Sequence, residues 1–153
     1  MKNRVLFTAL ATLAGFIFNL AHAQETLTRA TITGVSGSSS VNLSDGSTVP
    51  ASVGLKLSQG TTVTTGKDAQ VSIQAHDGII AVLAANSHVQ FEKLSVNVNG
   101  TRNAMLFLKS GNLASSLDPS NKNSNNYAVR TEKGVALARG TTMTVSVYDN
   151  VYV

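Results

Sequence analysis

Ala69-Gln70-Val71-Ser72-Ile73-Gln74-Ala75-His76-Asp77-Gly78-Ile79-Ile80-Ala81-Val82-Leu83 decides the fold. Ala69, Val71, Ile73 and Ala75 occupy every second position, with polar residues between them. Side chains of an extended chain alternate between faces, so this stretch is a strand with one buried and one wet face. His76-Asp77-Gly78 turns the chain. Ile79 to Leu83 is apolar at every position, which predicts a strand covered on both faces.

The same grammar extends in both directions. Upstream, Thr31-Ile32-Thr33 leads into Gly34 to Ser40, which reads as a loop. Val41-Asn42-Leu43 alternates, Asp45-Gly46 turns, and Pro50 belongs at an edge or in a turn because it cannot donate to a ladder. Downstream, Asn86-Ser87 turns and Val89 and Phe91 resume the alternation. Asn99-Gly100 predicts a two-residue hairpin after Leu94 to Val98. Met105 to Leu108 is the expected return strand, ended by Gly111. Asp118 to Asn126 reads as a solvated loop. Tyr127 to Thr131, Val135 to Ala138, and the alternating Thr141, Met143, Val145 and Val147 complete the pattern. Asp149-Asn150 then turns into Val151-Tyr152-Val153, where the sequence stops. That strand is either a bare edge or the point where a longer chain continues. No apolar set at helical spacing runs for long after residue 24. The expectation is an all-β domain of about ten short strands, in a rolled, solenoid-like or sandwich arrangement.

Residues 1–23 read differently. Lys2 and Arg4 form a basic start, Val5 to Leu20 is almost wholly apolar, and Ala21-His22-Ala23 offers small residues for cleavage before Gln24. This is the pattern of a secretory signal peptide, helical before removal. The domain is then 24–153, placed in the periplasm or secreted, with no membrane span in the mature chain. Without Lys2 and Arg4 it carries 10 Lys and Arg against 8 Asp and Glu, a net charge of +2. No basic cluster interleaved with aromatics appears, so nucleic acid is not an expected partner. There is no cysteine, so an exported chain must rely on its core alone.

Gly60 to Lys67 has five residues between its glycines, and Asp68 stands where a phosphate loop needs Ser or Thr. His76 and His88, with Asp77 and Glu92 nearby, fall short of the three or four converging ligands a metal requires. Gly-x-Ser-x-Gly is absent, and no activated nucleophile is visible. Asp45, Asp77 and Asp118 read as turn-forming carboxylates. No catalytic residue, metal site or cofactor is expected. Tyr127, Tyr148 and Tyr152 suggest a sugar-stacking surface or, more simply, half-buried strand residues.

A longer pattern carries a family resemblance. It runs Gly54-x-x-Leu57-x-x-Gly60-x-x-Val63-x-Thr65-Gly66, then Ala69-x-Val71-x-Ile73, Asp77-Gly78 and Asn86-Ser87-x-Val89. Leu106-x-Leu108-x-x-Gly111-x-Leu113 follows, then Val129-x-Thr131-x-x-Gly134-x-Ala136-x-Ala138-Arg139-Gly140-Thr141. In order and spacing this resembles a FecR-type domain, over roughly residues 28 to 147. The resemblance implies an extracytoplasmic β module without enzymatic activity. In regulators of that family the module follows a cytoplasmic anti-sigma segment and a membrane span, and relays a signal from an outer-membrane transporter. Here a signal peptide stands in place of the cytoplasmic segment, so only the sensing or binding half carries over. The motif residues Gly60, Gly66, Asp77, Gly78, Gly111, Arg139, Gly140 and Thr141 are expected to be structural, with the Arg139 guanidinium satisfying buried carbonyls near the bend. The functional expectation is a binding or sensing module that contacts another envelope protein. The alternative is a structural or glycan-binding surface module.

The leader gives a direct test. Protein recovered from the envelope or medium should begin at Gln24 by intact mass, and a species retaining residues 1–23 would refute cleavage.

Overall fold

Val71 and Ile73 are fully buried, Ala75 is 1% exposed, and Gln70 and Gln74 face water, so the alternation of the sequence becomes the inside and outside of a sheet. The computed structural model describes residues 24–148; the expected leader helix and the segment Val151 to Val153 lie outside the described residues. The strands are β1 (Thr26–Leu27), β2 (Ala30–Ser36), β3 (Ser39–Asn42), β4 (Thr48–Pro50), β5 (Lys56–Leu57), β6 (Thr62–Thr65) and β7 (Gln70–His76). They continue as β8 (Ile79–Leu83), β9 (His88–Val96), β10 (Arg102–Leu117), β11 (Asn125–Thr131), β12 (Gly134–Ala138) and β13 (Thr142–Val147). One 3₁₀ turn, Pro119–Asn121, is the sole helical element among the described residues. Thirteen strands exceed the expected ten because β1, β4 and β5 are two or three residues long, below what alternation can reveal.

All thirteen belong to one sheet that curls over a common core as an open half-barrel. One limb runs β4-β3-β6-β9 to the first half of β10, and on through β11 to β12. The other runs β5-β2-β7-β8 to the second half of β10, with β13 beside it. The rolled expectation is the nearest of the three, since β10 is shared by both limbs and a sandwich would need separate sheets.

The chain passes between limbs at a row of corners. β2 crosses to β3 at Gly37, β6 to β7 at Gly66, β8 to β9 at Asn86, and β10 bends within itself at Gly111. Neighbouring corners are bonded. Gly66 N–H donates to the Ser38 carbonyl at 2.9 Å, and Asn86 N–H donates to the Gly66 carbonyl at 3.0 Å. Buried Ser87 receives the Asn112 N–H at 3.0 Å and donates to the Asn112 carbonyl at 3.1 Å. Buried Thr65 donates to the Ala84 carbonyl at 2.6 Å and accepts from Ser87 N–H at 2.9 Å. Two hydroxyls thus satisfy backbone groups that a bend removes from the regular ladder.

Three local expectations change. Gly111 does not end the return strand; the strand runs through it, changing partners from β9 to β8 and β13. Gly34 to Ser40 is mostly strand in place of a loop: β2 runs through Gly34 to Ser36, and Gly37 turns the chain into β3, which pairs with β4 and β6 on the other limb. Asn97 to Thr101 forms a longer hairpin loop than Asn99-Gly100 alone, with Asn97 N–H bonded to the Thr101 carbonyl at 2.8 Å. Two further differences follow from the open shape. Ile80 is 47% exposed, since none of the described residues covers it on the convex face of β8. Asn125, expected in the solvated loop, is 2% exposed and starts β11, its amide donating to the Asp77 carbonyl at 3.1 Å.

Gly111 has φ 88°, and a Cβ there would lie 2.5 Å from Ser87 Cα and 2.6 Å from the Asn86 carbonyl oxygen. Gly46 has φ 87° with open space around it. Gly46→Ala should therefore cost only the left-handed strain, about 1 kcal/mol. Gly111→Ala adds a clash with backbone and should cost about 3 kcal/mol or more in denaturant unfolding. Equal costs would show that the corner is loosely packed.

Candidate functional site

The motif residues mark bends and do not converge. Gly66 and Gly111 stand in the row of corners, and Gly60 turns between β5 and β6. Gly78 and Gly140 hold the opposite end. A Cβ on Gly78 would meet Asp118 Cβ at 3.0 Å, and one on Gly140 would meet Pro119 Cα at 3.0 Å. Both glycines therefore seat the same loop that carries β10 over to β11. The Thr141 carbonyl accepts from Leu117 N–H at 3.1 Å. The Arg139 side chain is exposed and, among the described residues, makes no hydrogen bond; the expected bonds to buried carbonyls are not formed. Asp45 and Asp118 each accept a backbone N–H two residues on, from Ser47 and Ser120, both at 2.9 Å. Bonds from those serines hold both carboxyls below the usual range. The Asp77 carboxylate lies 3.6 Å from Arg102.

The titratable groups are spread apart. His76 ends β7, and its Nε2 donates to the Asn103 carbonyl at 3.1 Å. His88 begins β9 near the corners, with Nδ1 3.2 Å from Thr64 Oγ1. Glu92 is taken by Arg130, whose Nε donates at 2.9 Å, and the guanidinium lies 3.9 Å above the centre of the Phe107 ring. No group of three metal-ligating side chains gathers among the described residues. Tyr127 is 1% exposed, and its hydroxyl pairs with Ser115 at 2.6 Å across the two limbs. Burial pushes its pKa up to about 12, against the opposing effect of the Ser115 bond. Tyr148 is 72% exposed and Tyr152 lies outside the described residues, so Tyr127 cannot join a stacking surface with them.

What sequence reading missed is the open side of the half-barrel. β12 and β13 leave the common bend at Arg139–Thr141, and each has only one partner among the described strands. At their far ends a cleft of about 540 Å³ lies between Thr131–Lys133 and Val145–Tyr148. Met143, Val145 and Val147 point towards the core but remain half-buried, unlike the inward residues of β7. On the outer face Leu137 is 79% and Val135 55% exposed.

The other three single-partner strands among the described residues are protected, β1 by being only two residues long. β4 ends in Pro50, and β5 is only two residues long and carries Lys56. Proline, lysine and brevity are standard defences of an unpaired edge. β12 and β13, Gly-Val-Ala-Leu-Ala and Thr-Met-Thr-Val-Ser-Val, have neither proline nor charge. The signal was present in the sequence as two uncharged strands in succession, but nothing local marked them as edges.

The histidines give a pH test. Burial chiefly lowers the His76 pKa, with Arg102 adding to it and the Asn103 bond and Asp77 opposing. Burial and Lys109 lower that of His88. Both rings charge more easily in the unfolded chain, so their contribution is complete above the ordinary value, about 6.5, and declines as pH falls below it. Tm should drop between pH 7.5 and 5.5, and less so in His76→Gln; an identical drop in both would contradict this.

A family model for the FecR protein matches residues 61–152, more than half of the chain. No curated protein and no solved structure matches it. The matched span takes in the Gly66, Asn86 and Gly111 corners, the Tyr127–Ser115 joint and both unprotected edges, and on that match the chain belongs to the FecR family.

Proposed function

We propose that this protein is an exported, non-enzymatic binding module of envelope signalling, acting through contact between its open side and another envelope protein. One observation carries the reading. Among the described residues β13 pairs only with β10, and its inward Met143, Val145 and Val147 are left half-covered. An added strand would complete the ladder and cover those side chains together, which is how extended segments are captured by sheet edges. Membership of the FecR family supports the signalling context, and the basic, apolar and small-residue run of residues 1–23 supports export. The non-enzymatic reading rests on polar groups committed elsewhere: His76 to the Asn103 carbonyl, Glu92 to Arg130, and Asp45 and Asp118 to their turns.

A photo-crosslinking residue at exposed Thr144, on β13, should trap a protein partner in envelope preparations from the native cells. The same residue at exposed Thr48, on the blunted β4 edge, should not. Adducts of equal yield at both positions, or none at Thr144, would refute the assignment.

A further inference from the structure

The charge around the opening identifies what kind of segment fits it. Lys109 and Lys133 line the cleft beside Val145, Val147 and Tyr148. Neither takes part in the three ion pairs of the described residues, which join Lys93 to Glu25, Arg102 to Asp77 and Arg130 to Glu92. Lys109 faces His88, where its charge depresses the imidazole pKa in addition to burial. Glu132 also lines the cleft, but its field acts on Arg130, whose pKa it helps raise after the larger effect of Glu92. Lys122 and Arg139, at the bend where β12 and β13 meet, are exposed and likewise outside those ion pairs. The strands are neutral, and two lysines against one glutamate leave the described lining of the cleft net positive.

We propose that the opening takes an extended acidic segment of a partner protein, added as a strand to β13 with its carboxylates against Lys109 and Lys133. This rests on the open side being a protein-binding site and goes further by naming the chemistry of the occupant. β13 is six residues long, so a matching segment spans about 20 Å at the usual rise and places about three side chains inward. Those inward positions lie beside Met143, Val145 and Val147 and want apolar residues. The acidic residues belong at the end facing the 540 Å³ cleft. A second copy of this chain suits the site poorly. It would bring a second Lys109 and Lys133 to the opening, on a mature chain whose net charge is already +2.

The test uses the exported protein and two fluorescein-labelled peptides, Glu-Glu-Val-Thr-Val-Thr-Val and Lys-Lys-Val-Thr-Val-Thr-Val, followed by anisotropy. The acidic peptide should bind about tenfold or more tightly than the basic one at low salt, with the margin shrinking as salt rises. The exposed double variant K109E/K133E should reverse the order while keeping wild-type Tm. N-methylation of alternate residues along one peptide edge should abolish binding, and along the other edge should not, as strand pairing requires. Equal binding of the two peptides, an unchanged order in K109E/K133E, or indifference to methylation on both edges would overturn the proposal. So would a concentration-dependent doubling of mass that the acidic peptide fails to reverse, which would assign the edge to a second copy. If neither peptide binds but the Thr144 adduct persists, the acidic strand is wrong and the protein-binding site stands. Loss of the adduct as well removes both.

Discussion

Everything in this fold depends on bending a sheet without breaking its ladder. A flat sheet of thirteen strands would leave one face of apolar residues in water, so it must curl, and curling requires each strand to change direction somewhere. The chain concentrates that change in one row, Gly37, Gly66, Asn86 and Gly111, and repairs it with the hydroxyls of Thr65 and Ser87. A bend removes backbone donors and acceptors from their regular partners, and each left unpaired in the interior costs about 1–3 kcal/mol. Short side chains that both donate and accept suit this task, which accounts for Ser87 and Thr65 being buried beside a core made mainly of Val, Ile, Leu and Ala.

β10 is where the two limbs become one object. Its first half is paired by β9 and β11, its second by β8 and β13, and the bend between them is Gly111. The loop after it returns the chain so that β11 runs parallel to the first half of β10. Parallel neighbours need a crossover, and here the second half of β10 supplies most of it. Tyr127 and Ser115 then join the limbs across the core. A buried tyrosine needs a partner for its hydroxyl, and this one is matched to a serine that belongs to the opposite limb.

Much of this was legible in the sequence, for a local reason. Period-two alternation is a property of neighbouring residues, so Gln70–His76, Ile79–Leu83 and Thr142–Val147 could be read directly. The motif glycines were also legible as bends. What could not be read was pairing, which joins residues far apart. Gly111 has the same local appearance whether a strand ends or bends there. Ile80 looks like a core residue until the convex face proves bare, and Asn125 looks like part of a polar loop until its amide meets Asp77 from forty-eight residues away. Arg139, in the most recognisable phrase of the chain, sits at the surface, while the phrase's structural work falls to Gly140 and the Thr141 carbonyl.

The curl also decides where the unprotected edges lie. The curl brings the ends of the two limbs to opposite sides. At β4 and β5 they finish in Pro50 and in a two-residue strand with Lys56, residues that discourage further pairing. At β12 and β13 the limbs finish in five and six uncharged residues, beside a core that is incompletely covered. An edge that confers nothing tends to be blunted, because bare ladders invite aggregation. Two such edges lie on one side and the blunted ones elsewhere, which gives the described residues a direction: a closed flank, and an open flank that is the one the proposed partner strand would use.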